Sequence, residues 1–271
     1  MKLGVLVNLD STEVDEKFKV VRELGFNYCQ LCCWKQRLLT DEVAKAVLEA
    51  CEKYQITIST FWCGWSGPSE WNFYEGPLTL GLVPSEYRSL RMEELKKGSD
   101  FAKKIGVENM ATHMGFLPEN PYSKEYQEVV CAVRYVAMYC QKNGQYLLFE
   151  TGQETPITLR RTIEDVKTGN LGINLDPANL ILYGKANPVD ALDVFGEYVR
   201  DVHAKDGLYP TDGRNLGKEM PLGQGKVNFP ALIKRLKELR YDGTLTIERE
   251  ISGEEQKKDI LSAKKLLEEF I

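Results

Sequence analysis

The chain has 271 residues, of which 43% are hydrophobic and 28% charged, a composition that excludes disordered, collagenous and other fibrous classes. Its 40 Asp and Glu residues outnumber 35 Lys and Arg, for a net charge of −5. That balance argues against a nucleic-acid backbone as the main partner, because phosphate binding draws on a cationic face. No apolar run approaches the roughly 20 residues that cross a bilayer. Met1-Lys2-Leu3-Gly4 leads into a strand-like segment without a signal-peptide core, so a cytoplasmic protein without membrane contact is expected. Seven cysteines, an odd number, suit reduced thiols rather than disulfides.

Short apolar, β-rich runs alternate with longer amphipathic ones, the pattern of repeated βα units around a parallel sheet. In chain order, strands are expected at Lys2–Asn8, Tyr28–Trp34, Thr57–Cys63, Glu108–His113, Gln145–Thr151, Gly172–Asp176, Val199–His203 and Thr244–Glu248. Helical patterns fall between them at Glu13–Leu24, Asp41–Tyr54, Tyr87–Ile105, Ser123–Lys142, Pro156–Val166, Pro188–Phe195, Asn228–Leu239 and Gly253–Phe270. Thr40 precedes the second helix as a cap, while Gly25 and Gly144 close the first and fourth. An open doubly wound sheet would carry a glycine-rich turn after its first strand, and Val7-Asn8-Leu9-Asp10-Ser11 has no glycine. The expected fold is therefore α/β, a single (β/α)8 TIM barrel over residues 1–271. Two connections are long, Gly64 to about Pro84 and Ala204 to Val227, and both leave the C-terminal rim, where barrels build their sites.

Four late strands each end on a residue that binds cations: Glu150 in LLFETG, Asp176 in INLDPAN, His203 in RDVHAKD and Glu248 in LTIERE. Their spacings of 26, 27 and 45 residues are one βα step each, the last lengthened by the seventh loop. On one rim they converge, and polar groups closing apolar strands are costly to bury without a cation or ion partners. Carboxylate oxygens with one imidazole suit a divalent ion and leave positions for substrate oxygens. The cysteines make a poorer set: Cys32 and Cys33 point to opposite faces of a strand.

The ordered set Glu150, Asp176, His203 and Glu248, with HAKD and the run LGQGKVNFPALIKRLKELRYDGTLTIERE, resembles the sugar phosphate isomerase/epimerase group of xylose-isomerase-like barrels. The resemblance spans essentially the whole chain and is strongest from Glu150 to Glu250. It implies that these four residues bind one Mn²⁺, alternatively Co²⁺ or Mg²⁺. In the ketose 3-epimerases of that group the two glutamates also exchange the substrate proton, so Glu150 and Glu248 become the implied acid/base pair working through a cis-enediolate. A homodimer or homotetramer is likewise implied. The sequence departs from the 3-epimerases at two points: Asn179 stands where they carry a substrate histidine, and the glutamate six residues after their first metal glutamate is missing. Gln153 and Glu154, from the same loop, are expected to substitute. These departures keep open a lyase or C-glycoside-cleaving subunit, with a partner subunit, using the same enolisation.

A small carbohydrate is the expected partner. Trp34 and Trp62 are the candidate sugar-stacking residues among four tryptophans, since indoles offer an apolar face and an N–H donor to a sugar ring. His113, the only other histidine beside His203, is a candidate contact to a substrate hydroxyl. Arg214, in the seventh loop, is a candidate substrate arginine by resemblance. Lys205 or Asp206 of HAKD is expected to orient His203 or to form a rim ion pair. Arg88 and Arg91 are read as solvated or paired helix-surface residues. Metal-dependent phosphodiester cleavage, which a DNA-repair relative with this barrel performs, uses many histidines and fits two poorly.

Overall fold

The computed structural model describes residues 1–271. Eight parallel strands close into a barrel: β1 (Lys2–Asn8), β2 (Tyr28–Cys33), β3 (Thr57–Cys63), β4 (Asn109–Thr112), β5 (Tyr146–Glu150), β6 (Leu171–Leu175), β7 (Val199–Ala204) and β10 (Thr244–Ile247). The ring order is β1-β10-β7-β6-β5-β4-β3-β2. Between β7 and β10 the seventh loop folds into a small antiparallel pair, β8 (Asp206–Gly207) with β9 (Glu219–Met220).

The helices are α1 (Val14–Glu23), α2 (Asp41–Tyr54), α3 (Gly76–Thr79), α4 (Ser85–Lys104), α5 (Lys124–Lys142), α6 (Pro156–Val166), α7 (Pro177–Leu182), α8 (Pro188–Phe195), α9 (Phe229–Glu238) and α10 (Glu254–Glu268). Local chemistry starts them. The side chains of Thr40, Ser123, Thr155 and Asn228 accept N–H groups of the first turns of α2, α5, α6 and α9. Proline opens α6, α7 and α8, where its missing N–H costs nothing. Gly144, at φ +74°, reverses the chain after α5 into β5. The longer helices lay apolar faces on the strands, and one continuous hydrophobic core runs from Val5 to Leu267.

The eight strands fall where the sequence places them, with ends that shift by a residue or two. β2 stops at Cys33, so Trp34 begins the loop, and β6 stops at Leu175, one residue before Asp176. Two helices are additions. α3 interrupts the third loop, and α7 starts immediately after Asp176, where no helix was expected.

Opposite sides of the barrel are tied together above the site. β3 and β7 stand four places apart in the ring, so the loops after them leave from opposite walls. Asn72 and Asn215 nevertheless form an antiparallel bridge, the Phe73 N–H donates to the Arg214 carbonyl at 2.9 Å, and the Arg214 guanidinium covers the Tyr74 ring at 4.9 Å. The two longest loops form a strap over the mouth.

Candidate functional site

Glu150 is the last residue of β5, His203 lies within β7, and Asp176 and Glu248 are the first residues beyond β6 and β10. One donor atom from each lies within 4.8 Å of the others. His203 Nδ1 is 3.1 Å from Glu150 Oε1, 3.0 Å from Glu248 Oε2 and 3.6 Å from Asp176 Oδ2. Asp176 does two jobs. Its Oδ1 accepts the Asn179 N–H at 2.9 Å and so caps α7, while Oδ2 turns into the cluster.

The donor set fits a divalent cation. Asp176 Oδ2, His203 Nδ1 and Glu248 Oε2 are buried with no hydrogen-bond partner, a costly state that an ion bound among them would relieve. Three carboxylates and one neutral imidazole are the ligands such an ion prefers. The field of the three carboxylates favours a positive charge among these donors. Burial opposes charge on His203, yet the Glu248 and Glu150 carboxylates outweigh it and hold its pKa well above the usual value. Burial alone would raise the Glu150 carboxyl, but the His113 and His203 rings pull it down to about 2. Lys205, buried behind the cluster, places its ammonium 3.6 Å from Asp176, 3.4 Å from Glu248 and 3.0 Å from Glu250.

A polar floor orients the imidazole. His203 Nε2 lies 2.7 Å from Gln30 Oε1 and 3.0 Å from Asn174 Nδ2. Gln30 in turn donates to Asn174 Oδ1 at 3.2 Å and reaches Asp201, whose carboxylate also takes the Ser59 and Thr60 hydroxyls. For Nδ1 to face a cation, Nε2 carries the proton, and Gln30 Oε1 stands where it accepts it. Sequence reasoning missed Gln30 and Asn174. The available signal was an amide inside each of the apolar runs YCQLCC and LGINL.

Above the donors opens a cavity of about 550 Å³, lined by Glu150, His203 and Glu248 together with Trp34, Trp62, Trp71, His113, Asn179, Tyr183 and Leu216. Glu150 divides its oxygens: Oε1 faces the donor cluster, while Oε2 accepts the Trp62 indole N–H and lies 3.3 Å from His113 Nε2. Trp34, Trp62, His113 and Asn179 all reach the cavity, and Trp71, passed over in the sequence, joins them. Gln153 and Arg214 do not line it. Gln153 is buried with its amide donating to the Tyr183 hydroxyl at 3.1 Å, and Arg214 is held at the strap over Tyr74.

Four further residues bear on the expectations. Asp206 does not touch His203; its carboxylate gathers the N–H groups of Gly207, Gly223, Gly225 and Val227, and so folds the Gly223-Gln224-Gly225 turn. Lys205 is the residue of HAKD that faces the cluster. Arg91 is fully buried, its guanidinium donating to the carbonyls of Ser66, Pro68, Thr79 and Gly81, and Arg88 holds those of Leu82 and Val83. Both arginines shape the third loop from beneath, because six carbonyls of an irregular segment need donors more than a helix surface needs charge.

With this geometry in place, likeness to known proteins is informative. Over 99% of this chain and 96% of its own length, a xylose isomerase domain protein from Planctomyces limnophilus superposes with a TM-score of 0.93 at 37% identity. A D-tagatose 3-epimerase-like protein matches over 100% and 97% (TM-score 0.76, 22% identity). The 3-keto-D-glucoside 4-epimerase YcjR from E. coli matches over 99% of both chains (TM-score 0.74, 17% identity), a likeness of fold. A family model described as xylose isomerase-like TIM barrel matches residues 18–270, and the chain belongs to that family.

Proposed function

We propose that this protein is a divalent-metal-dependent sugar isomerase or epimerase that moves a proton on the carbon beside a carbonyl, with Glu150 and Glu248 as its acid/base pair. Glu150, Asp176, His203 and Glu248 would hold the cation. When bound, a divalent ion supplies Lewis acidity to adjacent carbonyl and hydroxyl oxygens of a sugar and so acidifies the C–H between them.

The observation that carries this reading is the disposition of the two glutamates. Each turns one oxygen toward His203 Nδ1, Glu150 through Oε1 and Glu248 through Oε2, and both line the same cavity. Each keeps a second oxygen for proton transfer. That of Glu150 is held by Trp62 and His113; that of Glu248 has no such anchor. One carboxylate takes the proton from carbon and the other returns one, which inverts the centre when they act from opposite faces. Trp34 and Trp62 offer ring faces to the sugar, and Asn179 and His113 offer polar contacts to its hydroxyls.

Elimination from a keto-sugar, or cleavage of its glycoside, shares the first half of this chemistry. Asn179 in place of the 3-epimerase histidine favours that second reading over simple 3-epimerisation. No helix is long and apolar enough to cross a membrane, and the seven cysteines are unpaired, which suits the reducing cytoplasm.

The test is deuterium incorporation from heavy water into a panel of ketoses and keto-glycosides by protein loaded with Mn²⁺, Co²⁺ or Mg²⁺. Wild-type protein is expected to exchange one C–H position and lose the activity on chelation. Glu150→Gln and Glu248→Gln are each expected to abolish it; exchange retained by both variants overturns the assignment.

A further inference from the structure

We infer, resting on the carbohydrate reading above, that the substrate is an uncharged sugar bearing a flat apolar substituent, which stacks in a corner made by Trp34 and Trp71. All four tryptophans of the chain stand together. The Trp34 ring centroid lies 4.9 Å from Trp62, 5.1 Å from Trp65 and 6.2 Å from Trp71. Trp62 and Trp65 are buried, and Trp62 is committed to Glu150 through its N–H. Trp34 and Trp71 are instead 37% and 39% exposed, and both line the cavity. Their planes meet at 88°. A flat ring laid on one indole therefore turns its edge to the face of the other, the arrangement aromatic pairs prefer.

Size and charge lead to the same class of ligand. About 550 Å³ sits well inside the ~300–1,000 Å³ range of drug-sized pockets, more than one hexose ring fills. The lining carries Glu150, Glu248 and Glu250 against a single lysine or arginine, Arg249, with the His113 and His203 rings set against Glu150. That guanidinium is already spent on Glu219 at 3.1 Å and Asp259 at 2.8 Å. Lys205 lies outside the lining with its ammonium on three carboxylates. A phosphate group would find no free lysine or arginine in the lining and would meet like charge, which costs binding energy. Apolar surface at the mouth rewards an aromatic substituent instead.

The experiment is isothermal titration of manganese-loaded protein with phenyl β-glucoside, methyl β-glucoside, glucose and glucose 6-phosphate. Phenyl glucoside is expected to bind at least tenfold more tightly than methyl glucoside, with glucose 6-phosphate the weakest. Trp71→Ala is expected to collapse the phenyl-to-methyl ratio toward one, and Trp71→Phe to keep most of it. Equal affinity for the phenyl and methyl glucosides, or tightest binding of glucose 6-phosphate, overturns the inference. Its fate is separable from that of the acid/base assignment. Deuterium exchange without a phenyl preference sinks the aromatic corner alone, whereas a phenyl preference without exchange sustains the corner and sinks the enolisation reading.

Discussion

Gln30 Oε1 lies 2.7 Å from His203 Nε2, although the two residues are 173 positions apart and come from β2 and β7. The contact fixes which ring nitrogen faces the carboxylates. Gln30→Leu keeps the volume of a buried strand residue but removes the proton acceptor. Loss of such a supporting hydrogen bond typically costs ~10–100-fold in metal affinity, and that range is expected here for manganese, read by titration calorimetry. An unchanged affinity in a folded variant would show that the ring needs no such support.

Lys205 is the fixed positive charge behind the donor cluster, and its removal should raise the demand for a cation. Lys205→Met leaves Asp176 and Glu248 without their buried counter-ion. Breaking a buried pair costs ~3–5 kcal/mol, so the metal-free variant is expected to lose a large part of its thermal stability. Added manganese should restore more of that loss than it adds to wild type, because an ion binding only the folded state stabilises it by mass action. Calorimetric melting with chelator and with metal checks both statements; an equal metal-induced rise in the two proteins contradicts them.

Glu154 imposes a pH dependence of opposite sign to an ordinary salt-bridged carboxylate. Its side chain is buried, its Oε1 has no partner, and burial pushes its pKa up to about 8. An unfolded glutamate titrates near ~4.3. Between those values the folded protein keeps a proton that the unfolded chain has released, so stability falls as pH rises and the full loss is present above the folded pKa. Glu154→Gln removes the titration. Its melting temperature should match wild type near pH 5 and exceed it at pH 9, and a gap independent of pH would rule the idea out.

The strap bridged by Asn72 and Asn215 is expected to govern the rate of entry to the cavity. Paired residues in an antiparallel bridge have Cα atoms ~4.5–5.5 Å apart, within the span a disulfide accepts. Asn72→Cys with Asn215→Cys is expected to slow association of the phenyl glucoside probe at least tenfold when oxidised, with recovery on reduction. Stopped-flow traces that are identical in both states would mean that ligands enter without parting the loops.

Much of this molecule is legible in its sequence, and the limits have physical causes. Alternation of apolar runs marks all eight strands, because each strand is short, β-rich and separated from the next by a longer helical run. Glu150, Asp176, His203 and Glu248 stand out because each closes an apolar run on the same rim, so one periodicity fixes all four. Gln30, Asn174 and Asp201 do not, since a buried amide or carboxylate acquires meaning only from partners on other strands, most of them more than a hundred residues away. Arg91 fails for a related reason. A helix pattern says which face an arginine occupies, whereas the loop folded over that face decides whether it meets water or four carbonyls. Arg214 and Gln153 illustrate loop geometry, which side-chain chemistry alone does not fix.

The gathering of every tryptophan at one place has a spectroscopic consequence. Indole emission from this protein originates wholly at the rim around Trp34, so quenching or a colour shift reports occupancy without any attached dye. The same arrangement makes that signal blind to the opposite end of the barrel, where loosening of the strands' N-terminal ends would pass in the dark.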